Sequence, residues 1–373
     1  MTSKYRLSDQ LFTSIHQKLD CDQFSGVVLI QQGQHPLFQK AVGFANRPWQ
    51  IPNLMNTRFR LASISKMFTA IAILQLIEQG HCTLDTPVPM SLGIQSASIP
   101  DEVSVYHLLT MTAGIADWFE ESGEAENQWI EFCHRYPIYL FRQHPDYLPL
   151  FIDQPMVNPP GQVHQYNNAS YILLGCLIER ITGIRYFDYI QRHIFEPAQM
   201  HHSGFVAIDD AQEAIAEGYI PITKSDAFRF RETQASDAEE IIEWRRNIYS
   251  ITPEAAADGG AVSTAQDLQR FSLALRTGKL LSPQGTQDFL TPKVLEDDEN
   301  YRGYLWKYGF GNFFLLDDHQ HLIRWGHTGE EEGVSCRFYH YSHLETDVVI
   351  LSNQSESTSA LGWDIHDLIM GHA

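Results

Sequence analysis

Residues 67–77 are apolar at every position except Thr69 and Gln75, and they contain neither proline nor glycine. An apolar run of this length without a polar face predicts a helix that is buried on all sides. Lys66 stands at the start of this helix. Ser63 lies three residues earlier, which places the two side chains on one helical face about one turn apart. The chain must therefore fold around a helix that carries a lysine at its buried end.

Ser63 and Lys66 form a pair that can act chemically. Burial penalises a charged lysine, so we expect the pKa of Lys66 to be lowered. A neutral amine next to a hydroxyl can accept the hydroxyl proton and make the serine a usable nucleophile. The alternative interpretation is an ordinary helix N-terminus at which Ser63 or Ser65 acts as the cap.

A second segment, Tyr166–Asn168, precedes a run that predicts another helix, over residues 169–183 with Gly183 as its C-terminal stop. The Pro-Pro-Gly sequence at 159–161 predicts a turn ahead of it. A tyrosine and an asparagine two positions apart on a loop can project a phenol and an amide into the same cleft. The alternative is that Asn168 caps the helix.

A third segment, His327-Thr328-Gly329, lies between two strand-like runs, His321–Trp325 and Val334–Tyr339. A glycine at this point allows a substrate backbone to lie against the edge of a strand. The alternative is an ordinary bend with a solvated histidine.

These three motifs, in this order and at these separations, resemble those of the serine hydrolases related to class C β-lactamases and D-alanyl-D-alanine carboxypeptidases. D-aminopeptidases and family VIII carboxylesterases belong to the same group. The resemblance covers most of residues 20–355. Four further segments look like family segments: Tyr106–Ile115, Ile194–Met200, Gly259–Phe271 and Tyr308–Gly333.

The resemblance implies a role for each matching side chain. Ser63 would be the acylated nucleophile, and Lys66 its base or proton relay. Tyr166 would transfer a proton to the leaving group and activate water for deacylation. It needs a neighbouring cation to act near neutral pH, because a free phenol has a pKa of about 10. Asn168 would bind the acyl-side amide of the substrate.

The resemblance also assigns roles to the third motif. Thr328 and Gly329 would border the bound substrate. The backbone N–H groups of Ser63 and Glu330 would form the oxyanion hole, which stabilises charge that appears only in the tetrahedral state.

His327 departs from typical β-lactamases and DD-peptidases, which have a lysine at this position to bind a substrate carboxylate. An imidazole with a pKa of about 6.5 is mostly neutral at pH 7. The adjacent run Glu330–Glu332 is either a solvated turn or an acidic lip that disfavours anionic substrates. His327 and the acidic run together favour neutral esters, amides or substrates with a free amine, and relatives with histidine here resemble D-aminopeptidases and carboxylesterases.

The sequence thus predicts a serine hydrolase that acts on a small-molecule ester, an amide or a short peptide. A β-lactamase, a DD-peptidase or a penicillin-binding protein with slow turnover is the first alternative. A non-catalytic, β-lactamase-like binding protein is the second. We expect no cofactor and no metal, since the sequence has no nucleotide-binding glycine motif and no H-E-x-x-H.

Composition narrows the choice of partners. A net charge of −20 argues against nucleic acid and against anionic membrane surfaces. Five cysteines without a C-x-x-C pattern indicate free thiols in a reducing compartment. The first ten residues lack the apolar core of a signal peptide, so we expect a cytoplasmic protein if Met1 is the native start. The oligomeric state stays open.

The predicted fold is α/β (α+β) and resembles the β-lactamase/transpeptidase fold, with an antiparallel sheet flanked by helices and an inserted all-helical domain. Residues 1–80 and 255–373 would form the sheet domain, and residues 81–254 the helical one. Strands are predicted over Phe24–Gln31, Pro36–Phe44, Tyr308–Leu316, His321–Trp325, Val334–Tyr341 and Asp347–Ser352, and helices over Leu7–Asp20, 63–79, Thr264–Thr277 and Ala360–Met370. Asp317–Asp318 is predicted as a hairpin turn.

The segment Gly218–Asp258 fits no family-like pattern. It is either a surface excursion of the helical domain or a flap that shapes an acyl pocket. Three aromatic residues, Trp118, Phe119 and Trp129, are candidates for the wall of such a pocket, which would favour a hydrophobic acyl group.

Overall fold

The computed structural model describes residues 13, 15–17, 19, 24–94, 96, 98–119, 125–223, 241–296 and 301–371. The predicted helix Leu7–Asp20 lies mostly outside these residues, and the described positions within it are helical. No helix in these ranges is long and apolar enough to cross a membrane.

An eight-stranded antiparallel sheet forms the centre of the fold, with the strand order β2-β1-β14-β13-β12-β11-β10-β9. Its strands are β1 (Gly26–Gln32), β2 (His35–Val42), β9 (Val294–Leu295), β10 (Leu305–Tyr308), β11 (Phe313–Leu316), β12 (Leu322–Glu331), β13 (Val334–Tyr341) and β14 (Thr346–Ser352). β1 pairs with β14 over its whole length, from Gly26 opposite Ser352 onwards. This pairing confirms that the two ends of the chain build one antiparallel sheet.

Three two-stranded ladders accompany the main sheet. They are β3 (Phe44–Asn46) with β4 (Ile51–Pro52), β5 (Phe59–Arg60) with β8 (Val262–Ser263), and β6 (Tyr219–Thr223) with β7 (Ile241–Arg246). The β6–β7 hairpin lies inside residues 81–254, so the expectation that this segment is all-helical is wrong. The assignment of these residues to a separate domain stays a prediction.

Nine α-helices follow the N-terminal helical positions in the described ranges. They are α1 (Lys66–Glu78), α2 (Val88–Leu92), α3 (Val105–Leu109), α4 (Ala125–Arg135), α5 (Asn168–Thr182), α6 (Tyr186–Ile190), α7 (Ala265–Arg276), α8 (Pro283–Phe289) and α9 (Ser359–Met370). Short 3₁₀ turns cover Ala62–Ser65, Ile138–Leu140, His144–Asp146, Leu148–Leu150 and Ser342–Leu344, and a π-helical turn covers Gln191–Phe195.

Helix α1 runs through the main core, and residues 66–76 are all buried, as the uninterrupted apolar run predicts. The apolar side chains form two clusters. The larger one includes residues of α1, α5 and α7, and the smaller one includes residues of β1, β13 and α9. Because both faces are covered, β13 and β14 are buried at every position and show no polar alternation.

Two of the predicted strands differ from the structure in ways that affect the site. Tyr308–Leu316 is split into β10 and β11 by a turn in which Gly311 has φ 74°. A Cβ at Gly311 would lie 2.8 Å from the Lys66 carbonyl oxygen, so the turn is pressed against α1. His327–Gly329 lies inside β12 and not between two strands. The turn at Asp317–Asp318 is confirmed, with the Asp317 carboxylate accepting from the backbone N–H of His319 at 2.9 Å.

Candidate active site

Ser63 lies on the 3₁₀ turn Ala62–Ser65, directly before α1. Ala62 has φ 45°, a left-handed conformation that is unfavourable for a residue with a Cβ and is often found at functional sites. The Ala62 carbonyl oxygen accepts from the Ser65 hydroxyl at 2.8 Å and from the backbone N–H of Gly260 at 3.3 Å. These bonds hold the strained turn and leave Ser63 half-buried, with neither serine side chain capping the helix.

The Lys66 amine is fully buried and lies 2.9 Å from the Ser63 hydroxyl oxygen. It donates to Oδ1 of Asn168 at 2.7 Å and to the carbonyl oxygen of Asp258 at 2.6 Å. Both oxygens can only accept, so they take two of the amine's N–H groups. In the neutral amine, the lone pair then remains for the Ser63 hydroxyl. This geometry is compatible with the predicted role of Lys66 as the base for Ser63.

The Tyr166 ring lies beside the amine, with its centre 4.9 Å from the Lys66 nitrogen. The ring stacks in parallel on Phe313, with 6.3 Å between centroids. At this separation a charged lysine lowers the pKa of a phenol, and a phenolate raises the pKa of a lysine. The predicted role of Tyr166 requires such a neighbouring cation.

Asn167, and not Asn168, is the N-cap of α5, and its side chain accepts from the backbone N–H of Ser170 at 2.7 Å. Asn168 is the first helical residue, and its side-chain Oδ1 accepts from Lys66. The Asp117 carboxylate accepts from the backbone N–H groups of Asn168 and Ala169, each at 2.8 Å. A carboxylate at a helix N-terminus also complements the helix dipole. Asp117 therefore positions Asn168, and the sequence analysis missed it.

Asp258 is a second residue that the sequence analysis missed. It is buried, and one of its carboxylate oxygens accepts from the Trp118 indole N–H at 2.9 Å. Burial raises the pKa of this carboxyl group, while the nearby Lys66 charge and the Trp118 bond oppose the rise. The only hint in the sequence is position, because Asp258 directly precedes the family-like segment Gly259–Phe271.

Strand β12 brings the third motif to the turn that carries Ser63. β11 pairs with β12 only as far as Gly326, whereas β13 pairs with it through Glu331. A Cβ at Gly329 would lie 2.1 Å from the Leu61 carbonyl oxygen. Only glycine permits this approach, which sets the Glu330 backbone beside the turn that carries Ser63. The arrangement suits the predicted oxyanion hole.

His327 is 1% exposed, so it is not a solvated histidine. Its ring packs against Phe313, with centroids 4.9 Å apart, and lies near Tyr308 and Tyr166. The Nδ1 atom bonds to the Thr328 carbonyl oxygen, which can only accept, so Nδ1 carries the proton. Burial, and then the charge of Lys66, lower the pKa of His327 to about 3. The ring is therefore neutral and Nε2 is a hydrogen-bond acceptor, without a partner among the described residues.

The acidic run Glu330–Glu332 does not act as an uncompensated lip. Glu330 forms an ion pair with Arg337, and Glu331 forms one with Arg60 at 2.7 Å. Burial raises the pKa of the Glu330 carboxyl group, and Arg337 opposes the rise. Of the two interpretations of this run, the ion pairs argue against the acidic lip, because arginines neutralise two of the three carboxylates. The preference for an uncharged substrate group rests on His327.

A profile of the beta-lactamase family matches residues 13–368. The chain belongs to the beta-lactamase family. Penicillin-binding protein 4* of Bacillus subtilis (strain 168) is 27% identical over 354 residues, which cover 93% of this chain and 71% of that protein. Esterase EstB of Burkholderia gladioli is 25% identical over 316 residues, which cover 80% of this chain and 79% of that protein.

A solved structure of the family is also similar. The crystal structure of a penicillin binding protein from Bacillus halodurans is 34% identical and superimposes with a TM-score of 0.81. The match covers 96% of this chain and 99% of that chain. The β-lactamase/transpeptidase-like fold predicted from the sequence is thereby confirmed.

Hydrogen bonds bring Ser63, Lys66 and Asn168 of this family member together directly, and Tyr166 joins them through its ring. Gly329 adjoins Leu61, on the turn side of the cleft. The Thr328 carbonyl oxygen accepts a hydrogen bond from Nδ1 of His327.

The state of His327 predicts a pH dependence of stability. Its pKa is about 3 in the folded protein and near 6.5 when unfolded, so the unfolded state binds more protons between these values. The contribution of neutral His327 to the free energy of unfolding is complete above about pH 6.5 and is lost as the pH falls. At pH 5 the free energy of unfolding should be lower by about 2 kcal/mol for this reason. The free energy of unfolding is measured in urea at pH 7 and at pH 5. Between these pH values it should decrease less in His327→Gln than in the unmodified protein.

His164 provides an internal check on this measurement. Burial lowers its pKa to about 4, so it contributes to the acid loss in both proteins, and the difference between them isolates His327. If the free energy of unfolding decreases equally in the two proteins, the pKa of His327 is not lowered in the folded state.

Proposed function

We propose that this protein is a serine hydrolase that is acylated on Ser63 and cleaves esters or amides. The observation that carries the proposal is the Lys66 amine, which lies 2.9 Å from the Ser63 hydroxyl oxygen while two carbonyl oxygens fix its orientation. Burying an amine costs free energy, and buried titratable groups beside a candidate nucleophile cluster at functional sites.

The reaction has two halves. In the first, Lys66 accepts the Ser63 proton, and the serine oxygen attacks the substrate carbonyl carbon. The backbone N–H groups of Ser63 and Glu330 stabilise the oxyanion, and Tyr166 passes a proton to the leaving alcohol or amine. In the second half, the Tyr166 phenolate removes a proton from water, which attacks the acyl carbonyl carbon. Lys66 returns its proton to the Ser63 oxygen as the bond between that oxygen and the acyl carbon breaks and the acid is released. The net reaction consumes one water molecule.

The character of His327 defines the substrate group beyond the scissile bond. A lysine at this position would attract a carboxylate, whereas the buried, neutral imidazole of His327 supplies no charge to hold one. Esters and amides without a carboxylate at this position are therefore the substrates we expect, and the esterase relative supports the ester class.

A penicillin-binding protein with slow turnover is the second candidate. It is favoured by the 34% identity to the Bacillus halodurans penicillin binding protein. A β-lactam would acylate the same serine, and the acyl-enzyme would persist if water were not activated efficiently.

One experiment tests both candidates. The protein is mixed separately with p-nitrophenyl butyrate, D-alanine p-nitroanilide and benzylpenicillin, then measured by intact-protein mass spectrometry and by chromophore release. Ser63→Ala, checked for an unchanged circular dichroism spectrum, is the control. We expect turnover of the ester or the anilide that is absent from Ser63→Ala.

The outcomes separate the candidates. A stable penicilloyl adduct without turnover of the ester or anilide would replace hydrolase by penicillin-binding protein. An adduct that also forms in Ser63→Ala would place acylation on another nucleophile and refute the role of Ser63. No reaction with any of the compounds would favour a non-catalytic protein.

A further inference from the structure

The segment Gly218–Asp258, for which the sequence shows no family-like pattern, ends in a tight turn. The Ala256 N–H donates to the Gly259 carbonyl oxygen at 2.9 Å, and the Gly259 N–H donates back to that of Ala256 at 3.2 Å. Ala257 and Asp258 are the central residues of this turn, and both are buried. Their backbone groups need partners outside the turn, because a buried amide or carbonyl group without a hydrogen bond costs free energy.

Helix α1 supplies a donor to each carbonyl group of the two central residues. The Thr69 hydroxyl donates to the Ala257 carbonyl oxygen at 2.6 Å, and the Lys66 amine donates to the Asp258 carbonyl oxygen at 2.6 Å. Thr69 follows Lys66 by three residues, so the two donors lie on one face of α1. The position of the turn and the position of the Lys66 amine are therefore coupled.

The backbone N–H of Ala257 has a partner that is not on α1. It donates to Nε2 of His144 at 3.1 Å, across 113 residues of the chain. The His144 side chain comes from the 3₁₀ turn His144–Asp146 and is 2% exposed. The proposed reaction has no step for this histidine, and none of the three motifs contains it.

The contacts of His144 define where its proton lies. Because Nε2 accepts from Ala257, the proton of the neutral ring is on Nδ1, which lies 3.5 Å from Oε2 of Glu179 in α5. Burial raises the pKa of the Glu179 carboxyl group, but hydrogen bonds from His144 and from the Tyr186 backbone N–H outweigh burial and lower it. An ionised Glu179 thus favours the tautomer in which Nε2 can accept.

We propose that His144 is a positioning residue for acylation: it holds the Ala257–Asp258 turn, and the turn holds the Lys66 amine beside Ser63. The inference rests on the proposed function, in which Lys66 is the base. Without an acceptor at position 144, the Ala257 N–H is buried and unpaired, so the turn shifts until this group finds another partner. The Asp258 carbonyl oxygen shifts with the turn, and a displacement of about 1 Å at a reacting group can cost about 10²-fold in rate.

His144→Leu and His144→Gln form the pair of variants that tests this role. Glutamine presents an oxygen that can accept from the Ala257 N–H, whereas leucine presents no acceptor. Acylation of Ser63 by p-nitrophenyl butyrate is followed by stopped flow over a range of ester concentrations. This separates the rate constant at saturation from the ester concentration that gives half of that rate constant.

We expect His144→Leu to lower the saturating rate constant by about 10–100-fold. The half-saturating ester concentration should stay unchanged, because the buried His144 ring does not reach the substrate. His144→Gln should restore the rate constant to within about threefold of the unmodified value, since it keeps the acceptor. Equal losses in the two variants, or no loss in either, would show that His144 only packs in the core and would overturn the proposal.

His340→Leu is the matched control. His340 is also buried, and its Nδ1 lies 2.8 Å from a carboxylate oxygen of Asp347. Within the described ranges, neither of these residues bonds to Lys66 or to the Ala257–Asp258 turn. This variant should acylate at the unmodified rate, and urea unfolding of both leucine variants shows that the protein measured is folded.

Crystal structures of the two His144 variants keep this proposal separate from the hydrolase. The Asp258 carbonyl oxygen should stay within hydrogen-bond distance of the Lys66 amine in His144→Gln and move out of it in His144→Leu. This result does not depend on whether the ester is hydrolysed, and an unchanged contact in His144→Leu overturns the proposal. If His144→Leu does not fold, Gly175→Ala takes its place, because the added Cβ would lie 2.6 Å from Nε2 of His144 and displace the ring.

Discussion

Lys66→Met should slow acylation of Ser63 by about 10²–10⁴-fold, the usual contribution of a positioned base. Methionine has a similar length and suits a buried helix, so the variant removes the amine with little change in packing. The expected loss follows from geometry, because the amine lies 2.9 Å from the Ser63 oxygen. The measurement is the time course of the acyl adduct by mass spectrometry, with p-nitrophenyl butyrate as the substrate.

Stability must be followed alongside the rate. Removing the amine leaves Oδ1 of Asn168 and the Asp258 carbonyl oxygen without their partner, at a cost of about 1–3 kcal/mol for each buried group. Urea unfolding therefore accompanies the kinetics. Lys279→Met, at an exposed lysine after α7, is the matched control and should change neither quantity. Acylation of Lys66→Met at the unmodified rate would remove this lysine from the mechanism.

Gly329→Ala should lower the acylation rate by about 10²–10³-fold, the range measured when one oxyanion-hole donor is lost. The added Cβ would lie 2.1 Å from the Leu61 carbonyl oxygen, and neither partner is a flexible side chain. β12 and the Ser63 turn must therefore separate, which moves the Glu330 N–H away from the developing oxyanion. The same crowding should cost about 1–3 kcal/mol of stability.

Gly362→Ala is the matched control for this substitution. A Cβ at Gly362, in α9, would have its nearest neighbour at 3.6 Å, so it fits without displacement. We expect this control to acylate as fast as the unmodified protein. If Gly329→Ala also acylates within about twofold of that rate, the Glu330 N–H does not stabilise the oxyanion.

Much of the fold was accessible from the sequence, since strong periodic patterns mark its elements. The buried helix after Lys66, the helix 264–277 and the final helix appear within one to three residues of their predicted bounds. The failures occurred where tertiary contacts override a local pattern. Residues 308–316 read as one strand, but the turn at Gly311 is pressed against α1 and splits it.

The contacts of the candidate site also differ in how far they could be predicted from the sequence. Ser63 and Lys66 are three residues apart, so their contact follows from local helical geometry and could be predicted. The remaining partners of Lys66 lie 102 and 192 residues away in the chain. One of them is a backbone carbonyl oxygen, which has no signature in the residue type. Asp258 was therefore missed even though its neighbours were singled out.

The sequence by itself determined the buried helix, the nucleophile–lysine pair and the order of the three motifs, because these depend on residue type and short spacing. Only the tertiary structure decided the electrostatics of the cleft. Arg60 reaches Glu331 across 271 residues, Arg337 reaches Glu330 across the β12–β13 pair, and burial makes His327 neutral. Charge pairing and desolvation depend on which groups meet in space, and a linear pattern of charged residues does not contain that information.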